Sequence, residues 1–208
     1  MKPYQVKNNR VADHKINPLF IKRWSPRSLS GKKISQEELL TLFEAARWTP
    51  SSSNGQPWVF LYAHRDTKNW KTFFSLLDKF NRIWCKNAAA LIVLISRKKL
   101  EKNNKPDRYN SFGAGSAWMS LALQARLNNL VAHGMAGFNK TKARKELKIP
   151  KDYKVEAMIA IGKQGDISSL TDRMQKSEKP NSRKPVKEFA FEGKFPISLL
   201  NKVKIHKN

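Results

Sequence analysis

Residues 111–134, SFGAGSAWMSLALQARLNNLVAHG, restrict the fold more than any other stretch of this chain. Apolar and small side chains appear almost all the way round the helix they predict, so it needs cover on several sides. Gly113, Ala114, Gly115 and Ala117 would let another backbone come close. At 208 residues the chain fits one domain, and a lone domain of that size seldom surrounds a helix completely. A second subunit is therefore the expected cover.

The remaining elements follow from local signals. Asn17-Pro18 starts a short helix carrying Leu19, Phe20 and Ile21, with proline at its first position. Ser35-Gln36-Glu37-Glu38 forms a capping box that opens a helix to about Trp48. Leu39, Leu42, Phe43 and Ala46 repeat at three and four on its buried face, and Pro50 ends it. WVFLYAH, Trp58–His64, reads as a strand. Asp66 or Thr67 is expected to cap a helix reaching Leu77, with Trp70, Phe73, Phe74 and Leu77 inward. The run Ala88–Ile95 is continuously apolar, which fits a fully buried strand and is far too short to span a bilayer. EAMIAIG, Glu156–Gly162, predicts a third strand, and residues 98–108 a charged loop. Beyond it runs a charged, proline-containing tail with the aromatic cluster FAFEGKF. The class is α+β, helices dominating: one domain over 16–195, between a polar arm at 1–15 and a basic tail at 196–208.

Charge narrows the partners. Lys and Arg number 41 against 16 Asp and Glu, a formal +25. Such a field favours anions: phosphorylated small molecules, nucleic acid or a membrane surface. The basic residues are dispersed rather than gathered in an arm, so nucleic acid is not expected as the main partner. Cys85 is the single cysteine, which excludes an intrachain disulfide and leaves a packed thiol. The N-terminus has no apolar signal-peptide core, and a soluble cytoplasmic protein is expected. The motifs GxSxG, HExxH, GxGxxG and the P-loop are absent, and His14, His64, His133 and His206 are far apart. No metal site is predicted. In an enzyme of this kind the reactive atoms would come from a bound cofactor.

Three segments could hold one. In RWSPR, Arg23, Ser25 and Arg27 alternate and point to one side of an extended segment, where guanidiniums and a hydroxyl suit a phosphate. The plain alternative is a solvated charged turn. In TPSSSNGQPW, Ser51, Ser52 and Asn54 follow a helix stopped at Pro50, either as ligand donors or as a turn that bonds to itself. In HGMAGF, small residues after the long helix would bare main-chain N–H groups to a flat ligand, or simply stop the helix.

Taken in order, HKINPLFIKRWSPRSLSGKKIS, ARWTPSSSNGQPWVFL, LALQARLNNLVAHGMAGF and AIGKQGD resemble the FMN-dependent nitroreductase family, from about His14 to Phe195. The resemblance implies a mostly antiparallel central sheet flanked by helices, and an intertwined homodimer with FMN at the subunit interface. It implies ping-pong chemistry, NAD(P)H giving way to a nitroaromatic, quinone or related acceptor. Carried over residue by residue, it gives Arg23, Trp24 and Ser25 to the FMN phosphate and ribityl chain, and Arg27 to the N1/O2 edge of the ring. Pro50, Ser51, Ser52 and Asn54 would come from the other subunit, and Asn81 would meet the pyrimidine end. Gly134, Met135, Ala136 and Gly137 would pass the flavin, with the Ala136 N–H toward N5 and alanine where many relatives have glutamate. Arg183 would bind phosphate, helped by Lys184, while Asn181 stands where some relatives carry lysine. No side chain is expected to act as acid or base. The competing expectation is a basic nucleic-acid or anionic-surface binder on the same fold, without redox activity.

Overall fold

The apolar run is the centre of the molecule. In a computed structural model, which describes residues 8–197 and 199, it forms β2, Ala90–Arg97. The first seven residues of the expected arm, and residues 198 and 200–208 of the expected tail, lie outside the described residues. Strand β2 pairs antiparallel with β1, Trp58–His64, on one side and with β4, Tyr153–Lys163, on the other. Strand β3, Leu130–Met135, adds antiparallel to β4, giving the order β1-β2-β4-β3.

Both faces of β2 are covered, which is why its sequence does not alternate. Leu91, Val93 and Ile95 face a cluster with Phe73, Leu76, Leu77, Trp84 and Met158. Ala90, Ile92 and Leu94 face another with Leu39, Leu42, Ala117, Leu121, Ile159 and Ile161. The first layer holds the short helices α3, Trp70–Leu76, α4, Lys79–Cys85, and α6, Lys140–Glu146. The second holds α2, Gln36–Arg47, and α5, Asn110–Leu127. Helix α1, Pro18–Lys22, precedes them, and α7, Asp172–Ser177, follows β4.

Local capping explains several boundaries. Asn17 accepts from the Leu19 N–H at the start of α1. Ser35 and Glu38 complete the capping box of α2 in both directions, at 2.9 and 2.7 Å.

Two expectations fail for identifiable reasons. The helix expected to reach Gly134 stops at Leu127, because Asn129 turns left-handed (φ 55°) and residues 130–135 gain a strand partner in β4. The helix expected from Asp66 or Thr67 begins only at Trp70: Asp66 is itself left-handed, and the Thr67 hydroxyl donates to the His64 carbonyl at 2.7 Å. Helix α5 is not covered all round by the described residues, in keeping with the expectation that one chain alone would not surround it. Gly113, Ala114, Ala117, Leu121, Ala122 and Ala125 are buried, while Phe112 (77% exposed), Met119 and Leu127 are open. Gly113 does admit a close neighbour, since a Cβ there would sit 3.0 Å from Pro57 Cγ.

Candidate functional site

The segment after α1 runs extended and is fixed at two points. The Ser30 N–H donates to the Lys163 carbonyl at 2.9 Å, and the Gly165 N–H to the Ser28 carbonyl at 2.8 Å, tying residues 28–30 to the end of β4. Just before this, Glu178 reaches in from the end of α7. Its Oε1 accepts from the Arg27 N–H (2.6 Å), the Ser28 N–H (2.8 Å) and the Ser28 hydroxyl (3.0 Å). Its Oε2 lies 3.8 Å from the Arg27 guanidinium. A carboxylate that is 3% exposed thus neutralises three donors of RWSPRS.

So fixed, the segment presents Arg23, Trp24, Ser25 and Arg27 to a cleft of about 310 Å³, shared with Arg10, His133, Lys179, Asn181 and Arg183. Arg23 Nη1 donates to Ser25 Oγ at 3.3 Å. Arg10 and residues 179–183, far apart in sequence, meet here. Burial, then the charge of Arg183, lowers the proton affinity of Arg23; the same two causes, then Arg23, lower that of Arg10. Among the described residues no carboxylate lies within ion-pair distance of Arg10, Arg23 or Arg183. Such a set of donors suits an anion.

Around the corner, Arg23 and Ser25 also line a cleft of about 340 Å³ with Trp118, Met119, Gly134, Met135 and Ala136. Gly134 and Ala136 are exposed, while Met135 turns inward against Cys85, Sγ to Sδ 3.5 Å. A Cβ on Gly134 would approach the Trp118 ring to 3.1 Å, and one on Gly137 would fall 2.2 Å from Asp78 Oδ2. The RWSPR residues, residues 134–136 and Arg183, all anticipated in the sequence, are brought together.

Two sequence-predicted parts behave differently. Asn81, 8% exposed, keeps its amide inside the chain: Nδ2 donates to the Gly137 carbonyl at 2.9 Å and Oδ1 accepts from Trp84 Nε1 at 3.1 Å. It holds the main chain of the segment that borders the cleft. Pro50, Ser51, Ser52 and Asn54 do not line either cleft of their own chain. Asn54 borders a separate depression with Arg97 and Leu100. Ser53, Asn54 and Gln56 are all left-handed (φ 52°, 52° and 42°), held by Ser51 Oγ accepting the Gln56 N–H at 3.0 Å and by Arg97 Nη2 donating to Gly55 at 2.9 Å. Asparagine enters that region readily, whereas serine and glutamine do so less often.

Sequence reasoning missed Arg10, His133, Glu178 and Lys179; the lysine lining the cleft is Lys179, where Lys184 was expected to help. His133 is packed 4.6 Å from the Trp84 ring. Its Nδ1 donates to the Pro26 carbonyl at 3.0 Å, since that oxygen can only accept, leaving Nε2 as an acceptor. Burial lowers its pKa from 6.5 to about 4; the Pro26 bond opposes this, and Arg27 and Arg23 add to it. Unfolded chains therefore bind this proton first as pH falls. The contribution is complete above about pH 6.5, declines toward pH 4 and is then constant, a loss of about 3 kcal/mol. Urea unfolding at neutral pH and near pH 4 should show a shallower pH dependence for His133→Asn than for the unsubstituted chain. Parallel curves would contradict this burial.

Among the described residues no group of His, Cys, Asp and Glu could hold a metal ion, and no helix is long and apolar enough to cross a membrane. The sequence model of the nitroreductase family matches residues 21–82, which span RWSPR and the serine loop. A solved structure described as an oxidoreductase containing FMN is 44% identical, covering 93% of this chain and 99% of its own, with a TM-score of 0.88. The chain belongs to the nitroreductase family. Two curated relatives in the family match over shorter spans. The oxygen-insensitive NADPH nitroreductase of Helicobacter acinonychis (strain Sheeba) is 41% identical over 69 residues, 33% of this chain and 31% of its own. The major NAD(P)H-flavin oxidoreductase of Aliivibrio fischeri is 36% identical over 69 residues, 32% of this chain and 31% of its own.

Proposed function

We propose that this chain is an FMN-dependent oxidoreductase of the cytoplasm that uses NAD(P)H to reduce nitroaromatic, quinone or related electrophilic acceptors, donor and acceptor taking turns in one site. The observation carrying this reading is the joining of two clefts at Arg23 and Ser25. One is lined by Arg10, Arg23 and Arg183, which have no carboxylate partner among the described residues, the other by the small residues Gly134 and Ala136. A phosphate-tailed flat ring has that shape and that charge distribution. The donors present fit it: guanidiniums for the dianion, the Ser25 hydroxyl for the chain, exposed main chain for the ring.

Bound there, FMN supplies the two-electron chemistry, accepting a hydride from NAD(P)H and delivering one to the acceptor. The protein orients, charges and desolvates. Arg23, Ser25 and Arg183 would hold the phosphate and the ribityl chain, with the Trp24 main chain between them. Arg27, held through its own N–H by Glu178, would lend positive charge to the pyrimidine edge of the ring. Asn81 fixes Gly137, and with it the stretch whose Ala136 N–H would be offered to the ring. Stacking distance then governs the transfer, so no side chain serves as acid or base.

A second copy completes the site. Trp48 (75% exposed) and Phe112, Met119 and Leu127 on α5 leave more apolar surface open than single scattered residues would. Pairing through that face would bring Pro50, Ser51, Ser52 and Asn54 of each chain to the other's flavin. The +25 charge would speed the encounter with phosphorylated donors.

The test is steady-state turnover. Purified protein supplied with FMN should oxidise NADPH or NADH only when a quinone or nitroaromatic is present. Absence of turnover with every such acceptor and both donors would contradict the proposal.

A further inference from the structure

We infer that Arg10 is a ligand of the phosphate, forming with Arg23 and Arg183 a three-guanidinium subsite built from segments far apart in sequence. The inference rests on the FMN reading above and adds to it a residue thirteen positions before RWSPR, in a stretch without recognisable pattern.

Three of the five N–H groups of Arg10 are committed. Nε donates to the Asn181 carbonyl at 2.7 Å, and Nη1 donates to the Ile21 carbonyl at 3.1 Å and the Arg23 carbonyl at 2.8 Å. These three carbonyls belong to the two segments that carry Arg23 and Arg183. A guanidinium gripped this way has one orientation, and among the described residues its Nη2 group has no hydrogen-bond partner, which leaves it for a ligand. Arg10 lines the same cleft as Arg23, Ser25, Lys179 and Arg183. Neighbouring segments reinforce the placement: Asn8 Nδ2 donates to Ile21 at 3.2 Å, and Asp13 Oδ2 accepts the Val186 N–H at 2.7 Å.

Electrostatics gives the reason to expect an anion against Arg10 itself. Arg10, Arg23 and Arg183 each depress, or are depressed by, another of the set. Packing like charges together without a carboxylate is unfavourable in the free protein and becomes favourable when a dianion enters. A tether alone would not require charge, since a neutral amide can donate to a carbonyl as well.

The experiment is a titration of the apoprotein with FMN and, separately, with riboflavin, which lacks the phosphate, followed by flavin fluorescence. It compares the unsubstituted chain, Arg10→Ala, Arg10→Gln, Arg183→Ala and the Arg10→Ala/Arg183→Ala pair. A phosphate ligand predicts that both Arg10 variants lose about tenfold or more in FMN affinity while riboflavin affinity stays within about twofold. The loss must persist in the Arg183→Ala background. Equal weakening of both flavins, no weakening, or a loss that disappears once Arg183 is removed would overturn the inference and assign Arg10 to tethering. Failure of the unsubstituted chain to bind FMN would instead overturn the reading on which it rests. Arg10→Gln keeps the question answerable if Arg10→Ala does not fold.

Discussion

Replacing Glu178 by alanine should lower the unfolding free energy by about 3 kcal/mol or more, at about 1 kcal/mol or more for each of the donors left without an acceptor. At roughly 2–4 °C per kcal/mol for a chain of this size, the melting temperature should fall by about 6 °C or more. The carboxylate satisfies the Arg27 N–H, the Ser28 N–H and the Ser28 hydroxyl through a single oxygen. Ser28 is fully buried, so water cannot replace those bonds without opening the segment. Arg27, 27% exposed in its side chain, would lose its countercharge and retain only the face of the Phe80 ring, 5.8 Å from its guanidinium carbon. Glu178→Gln should cost less: its amide oxygen can still accept these donors, but its NH₂ group would face the guanidinium. Thermal and urea unfolding of both variants would measure the difference. An alanine variant as stable as the parent would show that Glu178 does not anchor RWSPRS.

Gly165→Ala should be comparably damaging, at about 3 kcal/mol, for a different reason. A Cβ at this position would lie 2.7 Å from Leu29 C, Ser30 N and Ser30 Cα. These are main-chain atoms, which cannot rotate away as a side chain can. They are also tied down by the Ser30–Lys163 and Gly165–Ser28 hydrogen bonds on either side. Relief requires moving residues 28–30 off the end of β4 and pulling Leu29, 1% exposed, out of the core. Overpacking of a fixed site typically costs 1–3 kcal/mol, with about 1 kcal/mol more for each hydrogen bond broken. Because the same movement shifts Arg27 and Ser25, FMN affinity should fall along with stability. Gly115→Ala is the control: a Cβ there meets nothing within 4 Å in the chain, so monomer stability should change little. Equal melting temperatures for Gly165→Ala and the parent would contradict the close approach.

These two residues also show what the sequence could reveal. Signals that act within four residues were legible: the Asn17 cap with Pro18, the capping box from Ser35 to Glu38, and the apolar run of β2. RWSPR, the serine loop and HGMAGF were legible as polar or bare segments out of place for plain connectors, and the resemblance gave them order. Strand β3 was hidden because LVAHGM continues the apolar periodicity of the helix before it. The decision falls to the Asn128–Asn129 turn and to a strand partner in β4. Glu178 was hidden because its partners lie about 150 residues away, and no local pattern marks an acid that will be buried. Arg10 and Lys179 were two cations among 41, separable from the rest only by the long-range packing that brings them into one cleft.

The central claim is that two copies of this chain hold FMN between them and pass electrons through it. The most direct measurement is anaerobic addition of NADPH to purified protein reconstituted with FMN, reading the flavin's visible absorbance, with mass and flavin content determined on the same sample. The account predicts a yellow dimer with one FMN per chain, bleached by NADPH and restored by a quinone. A monomer that stays colourless after exposure to FMN, or bound FMN that neither NADPH nor NADH can bleach, would contradict it.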